Sequence, residues 1–286
     1  MRGRRRLPRL LLAAILGTGA VACSRSAPAR VDGGGAEAPG LLQGPGWELL
    51  EEHPHNRGAY TQGLLWWKGR LYESTGKYGA SSLRRVDPTT GRVLLNRPLP
   101  PDLFGEGLAL LGDRFYQLTW QAGRALVWDR DRLEPAGERR YSGEGWGLTA
   151  VGDRLVRSDG TATLQILDPD DFRVLRRVRV LEEGRPLEKI NELEWIEGYL
   201  YANVYQTNRI VAIDLETGRV VRSWDLSRLL GDWYVDDGAS VLNGIAWEPG
   251  KRRVWVTGKF WPKMFVLRLR DMPRRAREHG AAEGGG

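Results

Sequence analysis

Cysteine is nearly absent: the chain of 286 residues contains one, Cys23. No intramolecular disulfide can form, and a lone cysteine offers no metal cluster. Histidine is scarce too, and His53, His55 and His279 are too few and too badly placed to build a zinc site. Helix signals are sparse, with Asp225 to Leu230 predicted as one short turn. No serine sits in a nucleophile-elbow motif, and Gly76-Lys77 lacks the rest of a phosphate-binding loop. What remains is 41% hydrophobic and 28% charged residues, ordinary for a globular chain large enough to bury a core. The net charge of +7 owes much to the termini, where Arg2, Arg4, Arg5, Arg6 and Arg9 at one end face Arg274, Arg275 and Arg277 at the other. No aromatic-basic recognition motif accompanies them, so no nucleic-acid partner is expected.

The first 22 residues read as an export signal: a basic stretch from Arg2 to Arg9, an apolar run from Leu10 to Ile15, then small residues. Ala20-Val21-Ala22-Cys23 resembles a bacterial lipobox, although leucine is commoner where Ala20 stands. Cys23 is thus the predicted lipidation site, with Ser24 favouring the outer membrane, and the expected location is the cell envelope. Residues 23–46 are rich in Gly, Ala and Pro and are expected to form a flexible tether. A folded domain is predicted over 47–271, followed by a frayed basic and glycine-rich tail over 272–286.

Within the folded part the sequence repeats. Gln62-Gly63-Leu64, Glu106-Gly107-Leu108, Trp146-Gly147-Leu148, Asn191-Glu192-Leu193 and Asn243-Gly244-Ile245 open similar segments at a spacing of about forty to fifty residues. Each opening leads into a short apolar run, a Gly- or Asp-bearing turn and a second run, which are hairpin signals. A third run ends in turns such as Asp87-Pro88-Thr89-Thr90-Gly91 and Asp214-Leu215-Glu216-Thr217-Gly218, and a fourth follows. Four antiparallel strands repeated five times predict an all-β, five-bladed β-propeller. A β-sandwich would not explain five similar openings. The last unit lacks an outer strand, and Trp47 to Glu51 is predicted to supply it and close the ring.

The openings should form a ring at one channel mouth: Gln62, Glu106, Trp146, Asn191 and Asn243. The second strands return to that mouth and bring Gly76, Trp120, Asp159, Tyr205 and Lys259 beside the ring, with the register uncertain by one residue. A concave pocket with convergent polar groups on rigid strands is the default binding site.

These segments carry a specific resemblance. Tyr60-Thr61-Gln62-Gly63-Leu64, Phe104-Gly105-Glu106-Gly107-Leu108, Gly145-Trp146-Gly147-Leu148, Asn191-Glu192-Leu193-Glu194-Trp195, Ala202-Asn203-Val204-Tyr205 and Leu242-Asn243-Gly244-Ile245, with Gly258-Lys259, resemble the plant and bacterial glutamine cyclotransferases in motif order. The resemblance implies conversion of the N-terminal glutamine of peptides to pyroglutamate, with release of ammonia. It implies Glu106 as general acid/base and Tyr60, Gln62, Phe104, Trp120, Trp146, Asn191, Tyr205 and Lys259 as substrate-binding residues. Tyr205 departs from the plant pattern, where tryptophan is usual. For Lys259, stabilising a tetrahedral oxyanion and neutralising Glu106 or Asp159 both stay open. No cofactor is expected to be required, and zinc is not expected, unlike in the unrelated zinc-dependent animal enzymes. A structural calcium stays open, because Glu192, Glu194 and Asp159 are oxygen donors that would hold one if they converged. A monomer is expected, with contact to membrane through the anchor alone. The competing reading is a non-catalytic envelope propeller that binds peptides or glycans at the same mouth.

Overall fold

The structure, a computed structural model, describes residues 46–275. The expected leader, Cys23, most of the tether and the end of the tail lie outside the described residues. Successive side chains of a strand point to opposite faces, and second strands such as Arg70–Thr75 bury five residues in a row, so both faces of each sheet need covering. Stacking blade on blade meets that need.

The first blade is built from Thr61–Trp67, Arg70–Thr75, Ser82–Val86 and Val93–Pro98, paired antiparallel in that order. The second comprises Gly105–Leu111, Arg114–Thr119, Arg124–Asp129 and Pro135–Arg140. The third comprises Leu148–Val151, Arg154–Arg157, Thr163–Leu167 and Val174–Arg179. The fourth comprises Ile190–Ile196, Tyr199–Val204, Arg209–Ile213 and Val220–Asp225. In the fifth, Leu242–Glu248, Arg253–Gly258 and Lys263–Leu269 receive Trp47–Pro54 as the outer strand, with Trp47 opposite Leu269 and Pro54 opposite Lys263. This is the five-bladed propeller expected from the repeats, closed by its N-terminal strand. A 3-10 turn at Ser227–Leu229 falls inside the segment where one was expected. At the end of the described residues Met272 packs on an apolar cluster, and Arg275 pairs with Asp214 and Glu216.

The core lies between blades rather than at the centre. Tyr72 and Leu83 of the first blade meet Phe115, Leu126 and Trp128 of the second, while Leu64 and Leu71 meet Trp255 and Val266 across the closing junction. Each such side chain contributes about 1.5–3 kcal/mol on burial. The recurring Asp turns join third and outer strands for a local reason. Asp87 Oδ1 accepts from the backbone of Thr89 and Thr90, and Asp129, Asp168 and Asp214 accept in the same way from residues two positions on.

Every innermost strand carries one extra residue where it opens. Thr61 pairs with Thr75 and Gly63 with Ser74, which leaves Gln62 unpaired. Glu106-Gly107, Asn191-Glu192 and Asn243-Gly244 are bulged likewise. In the third blade Ser158 donates its N–H to Gly147 and accepts from Trp146 N–H, so two residues again oppose one. A bulge breaks the alternation of side chains and re-aims them, here toward one mouth. The glycines behind the bulges permit the blades to approach: a Cβ on Gly107 would lie 2.4 Å from Leu148 N, and one on Gly147 would lie 2.0 Å from Asn191 O.

Directly after the closing strand, His55 is buried and ties three parts of the ring together. Its Nδ1 lies 2.7 Å from Trp261 O in the fifth blade, and its Nε2 lies 2.9 Å from Glu73 Oε1 in the first. Thr61 donates to the same carboxylate oxygen at 2.7 Å, and Arg84 stands 3.8 Å from the other.

Candidate active site

The bulged ring and the residues that follow the second strands surround a cavity of about 350 Å³, lined by Tyr60, Gln62, Lys77, Phe104, Glu106, Trp120, Trp146, Asn191, Tyr205 and Lys259. All nine candidate catalytic and substrate-binding side chains therefore share one hollow. Trp120, Tyr205 and Lys259 are held there by the ladder itself, since their backbone N–H groups donate to Phe104, Lys189 and Val241 at 2.8–2.9 Å. Gly76, the corresponding position of the first blade, is where the Phe104 ring packs. A Cβ there would sit 2.2 Å from that ring.

Glu106 is 4% exposed, and its Oε1 accepts from Gln62 Nε2 at 2.8 Å. The amide of Gln62 is oriented in turn by Asn243, whose Nδ2 donates to Thr61 O at 3.0 Å and to Gln62 Oε1 at 3.3 Å. Burial pushes the Glu106 carboxyl well above the usual carboxylate range; the positive charge of Lys259 opposes the shift and the negative charge of Glu144 adds to it. A carboxyl raised in this way is a stronger base than an ordinary carboxylate, which suits general acid–base work.

Lys259 is buried between two phenol rings, with Nζ 4.7 Å from the centroids of both Tyr60 and Tyr205. No carboxylate among the described residues lies within ion-pair distance of it. Burial lowers its pKa to about 8, against the attraction of Glu106 and with the repulsion of Lys77. Burial, together with the neighbouring Tyr205 and Glu106, raises Tyr60 to about 12, so its hydroxyl stays protonated. Asn191 presents an Oδ1 that has no hydrogen-bond partner among the described residues. Phe104 stands edge-on to Tyr60 and Trp120, and Trp146 edge-on to Tyr205. The result is an aromatic box with one raised acid, one lowered ammonium and amide groups at its floor.

Two expectations change. Asp159 does not face the cavity. Its carboxylate accepts from Thr161 and Gln165, and with Leu148 opposite Arg157 the counterpart of Trp120, Tyr205 and Lys259 in this blade is Gly160, against which the Trp146 ring packs. Ser158 is buried, donating to Asn191 O and accepting from Gly147 N–H. Glu192, placed outside the ring in the repeat alignment, reaches the innermost strands of two other blades, accepting from Leu64 N at 3.2 Å and Ile245 N at 2.9 Å. Glu194 accepts from Trp247 N. Glu192, Glu194 and Asp159 thus do not converge as calcium ligands, and no group of three or more His, Cys, Asp or Glu side chains among the described residues is placed to hold an ion.

Lys77 and Glu144 were not singled out by the repeats. Lys77 follows Gly76, one residue beyond the mouth position of that strand; its Nζ stands 4.1 Å from the Tyr60 ring. Glu144 lies in a connecting loop and carries no repeat signal.

Fold and cavity together define an all-β propeller that carries one buried carboxyl in an aromatic-walled pocket. The model of the family described as glutamine cyclotransferase matches residues 22–269. The chain belongs to the glutamine cyclotransferase family. A curated relative, the glutaminyl-peptide cyclotransferase of Arabidopsis thaliana, is 39% identical over 229 residues, covering 78% of this chain and 71% of that protein. The crystal structure of Myxococcus xanthus glutaminyl cyclase superposes with a TM-score of 0.74 at 40% identity, covering 78% of this chain and 96% of that one.

Proposed function

We propose that this enzyme cyclises the N-terminal glutamine of peptides and proteins, with Glu106 as the one group that moves protons. Family membership supports the reaction, and the observation that carries the mechanism is the raised, buried carboxyl of Glu106 inside the aromatic cavity. The α-nitrogen of the substrate attacks the Cδ carbonyl of its own side chain. A C–N bond forms, the bond from Cδ to the amide nitrogen breaks, and a five-membered lactam and ammonia leave; no water is consumed. Glu106 as carboxylate takes a proton from the attacking nitrogen and delivers it to the departing one. Trp120, Trp146, Phe104 and Tyr205 hold the side chain folded back on the amine, which converts attack into a positioned intramolecular step. Gln62 keeps Glu106 oriented, and the free Oδ1 of Asn191 accepts from the substrate amine. Lys259, with no carboxylate at ion-pair distance among the described residues, supplies positive charge for the tetrahedral oxygen.

Incubating the purified protein with a glutamine-initiated peptide should release one ammonia per peptide, with the matching mass loss. Peptide binding without ammonia would sink the catalytic reading and leave a binding propeller. Because the cavity is built from a carboxyl, amides, an ammonium and aromatic rings, strong chelation of zinc is expected to leave turnover unchanged. Activity lost to a chelator and restored only by zinc would overturn the metal-free assignment.

We further propose that the protein is exported, cleaved before Cys23 and lipid-anchored in the cell envelope, where it acts as a monomer on peptides without nucleic-acid or other membrane contact. The lipobox-like Ala20-Val21-Ala22-Cys23 and the lack of any other cysteine support this. Cys23→Ser should abolish acyl labelling and move the protein out of the membrane fraction, with its specific activity intact. Wild-type protein that takes no acyl label would remove the idea.

A further inference from the structure

Trp120 and Trp146 form facing parts of the pocket wall, yet they come from different blades, the one at the end of a second strand and the other at the opening of the next innermost strand. Nothing in either blade alone fixes the angle between them. Both indole N–H groups nevertheless donate to the same oxygen, Glu144 Oε2, at 2.8 and 2.9 Å. Gln121 Nε2 donates to the other oxygen at 3.0 Å. Three donors therefore converge on one carboxylate, which lies outside the cavity lining and touches it only through these rings. Hydrogen bonds to a charged acceptor are about twice as strong as neutral ones and correspondingly directional.

The loop that carries Glu144 is itself fastened to the residues it orients. Gly145 N–H donates to Trp120 O at 2.8 Å, and Tyr141 N–H donates to Gly123 O at 2.9 Å. The Tyr141 hydroxyl accepts from Thr119 N–H and donates to Thr119 O, bracing the loop on the strand that ends in Trp120. A Cβ on Gly145 would fall 2.3 Å from that hydroxyl, so the loop passes here only with glycine. The donors accepted by Glu144 hold its carboxyl below the usual range despite partial burial, so it is an anion at neutral pH.

We infer that Glu144 is a positioning residue for glutaminyl recognition, a carboxylate clamp that sets Trp120 and Trp146 at a fixed separation and angle across the blade junction. This rests on the proposed reaction and on those two rings contacting substrate. Without the clamp each indole regains freedom about its side-chain torsions, and the cavity must be ordered anew on each binding event. The cost falls on substrate capture more than on proton transfer, because Gln62 and Asn243 position Glu106 and Glu144 reaches it only as a charge that adds to its raised pKa.

The test is steady-state kinetics on the full-length enzyme with a glutamine-initiated peptide, comparing Glu144→Ala and Glu144→Gln with wild type. Glu144→Ala should raise KM about tenfold or more while kcat falls by less than KM rises. Glu144→Gln keeps an acceptor oxygen at the same reach and should recover most of that loss. A double-mutant cycle supplies the second measurement: Trp120→Phe, which removes the indole N–H, should raise KM in the wild-type background and add little in Glu144→Ala. Indole N–H resonances in a tryptophan-labelled sample should shift for two side chains in Glu144→Ala. The inference fails if folded Glu144→Ala keeps a wild-type KM, if Glu144→Gln is as impaired as Glu144→Ala, or if the two substitutions act additively. A wild-type enzyme that does not cyclise the peptide would instead overturn the proposed function, and the resonance shifts would then still report whether the clamp exists.

Discussion

Glu106→Gln should fold normally and lose at least about a hundredfold in kcat, since positioned general acid–base groups are typically worth about 10²- to 10⁴-fold. The amide matches the shape of the acid and can keep the contact with Gln62 after reorientation, but it cannot carry a proton. Substrate affinity should change less, because the aromatic walls and Asn191 remain. The pH dependence gives a second handle. Accepting a proton requires the carboxylate, and burial raises the pKa, so wild-type kcat/KM should climb only as pH rises through a value well above the ordinary 4.5. Glu192→Gln and Glu194→Gln are the controls. Glu192 is also pushed up by burial, but its two oxygens are engaged by backbone N–H groups of neighbouring blades, so its loss should register in stability before turnover. Melts and kcat for the three variants decide the matter, and near-normal turnover in folded Glu106→Gln would falsify the assignment.

His55→Ala should cost about 1–3 kcal/mol, the range for leaving a buried polar group without its hydrogen-bond partner. For a domain of this size that corresponds to a fall in Tm of roughly 2–12 °C. The change removes the contact to Trp261 O as well as the one to Glu73, so it loosens the closing strand from both flanking blades. Burial would raise the Glu73 carboxyl, but His55, Arg84 and Thr61 outweigh it and hold the pKa below 4.5. A depressed folded-state pKa stabilises above the unfolded value and ceases to do so as pH falls through the folded one. The gap between wild type and His55→Ala should therefore be full near neutrality and narrow below about pH 4.5. An unchanged melting temperature, or a gap that widens in acid, would show that the contact contributes nothing to closure.

Much of this architecture is visible in the sequence, for reasons the structure makes plain. Each blade solves the same packing problem, so apolar alternation and the Asp turns recur, and the missing outer strand of the last unit pointed to Trp47 onward as its complement. The pocket ring was legible because polar residues stood where a buried strand would ordinarily place apolar ones. The misplacement of Asp159 by one position traces to Gly160, which holds the corresponding place but carries no side chain to signal it, so the acid beside it stands out instead. Glu144 escaped because a clamp across two blades joins residues that belong to different repeats. His55 drew attention only as one of too few zinc ligands; its partner Glu73 lies in a second strand with nothing to flag it.

The pairing of Trp47–Pro54 with Lys263–Leu269 also sets an order of events. Glu48 and Arg268, 220 residues apart, face each other across that seam. During synthesis the first strand of the domain emerges at the start and its partner nearly at the end, so the opening segment spends the whole elongation time with an unpaired edge. Contacts of such sequence separation form slowly, since the chain between them must first be brought into register. The ring consequently has no completed intermediate short of the last blade. A polypeptide halted before Lys263 would carry two open edges at once, Trp47–Pro54 and Arg253–Gly258, each lacking the one strand that joins them. Premature termination should therefore yield chains that associate through exposed strand edges.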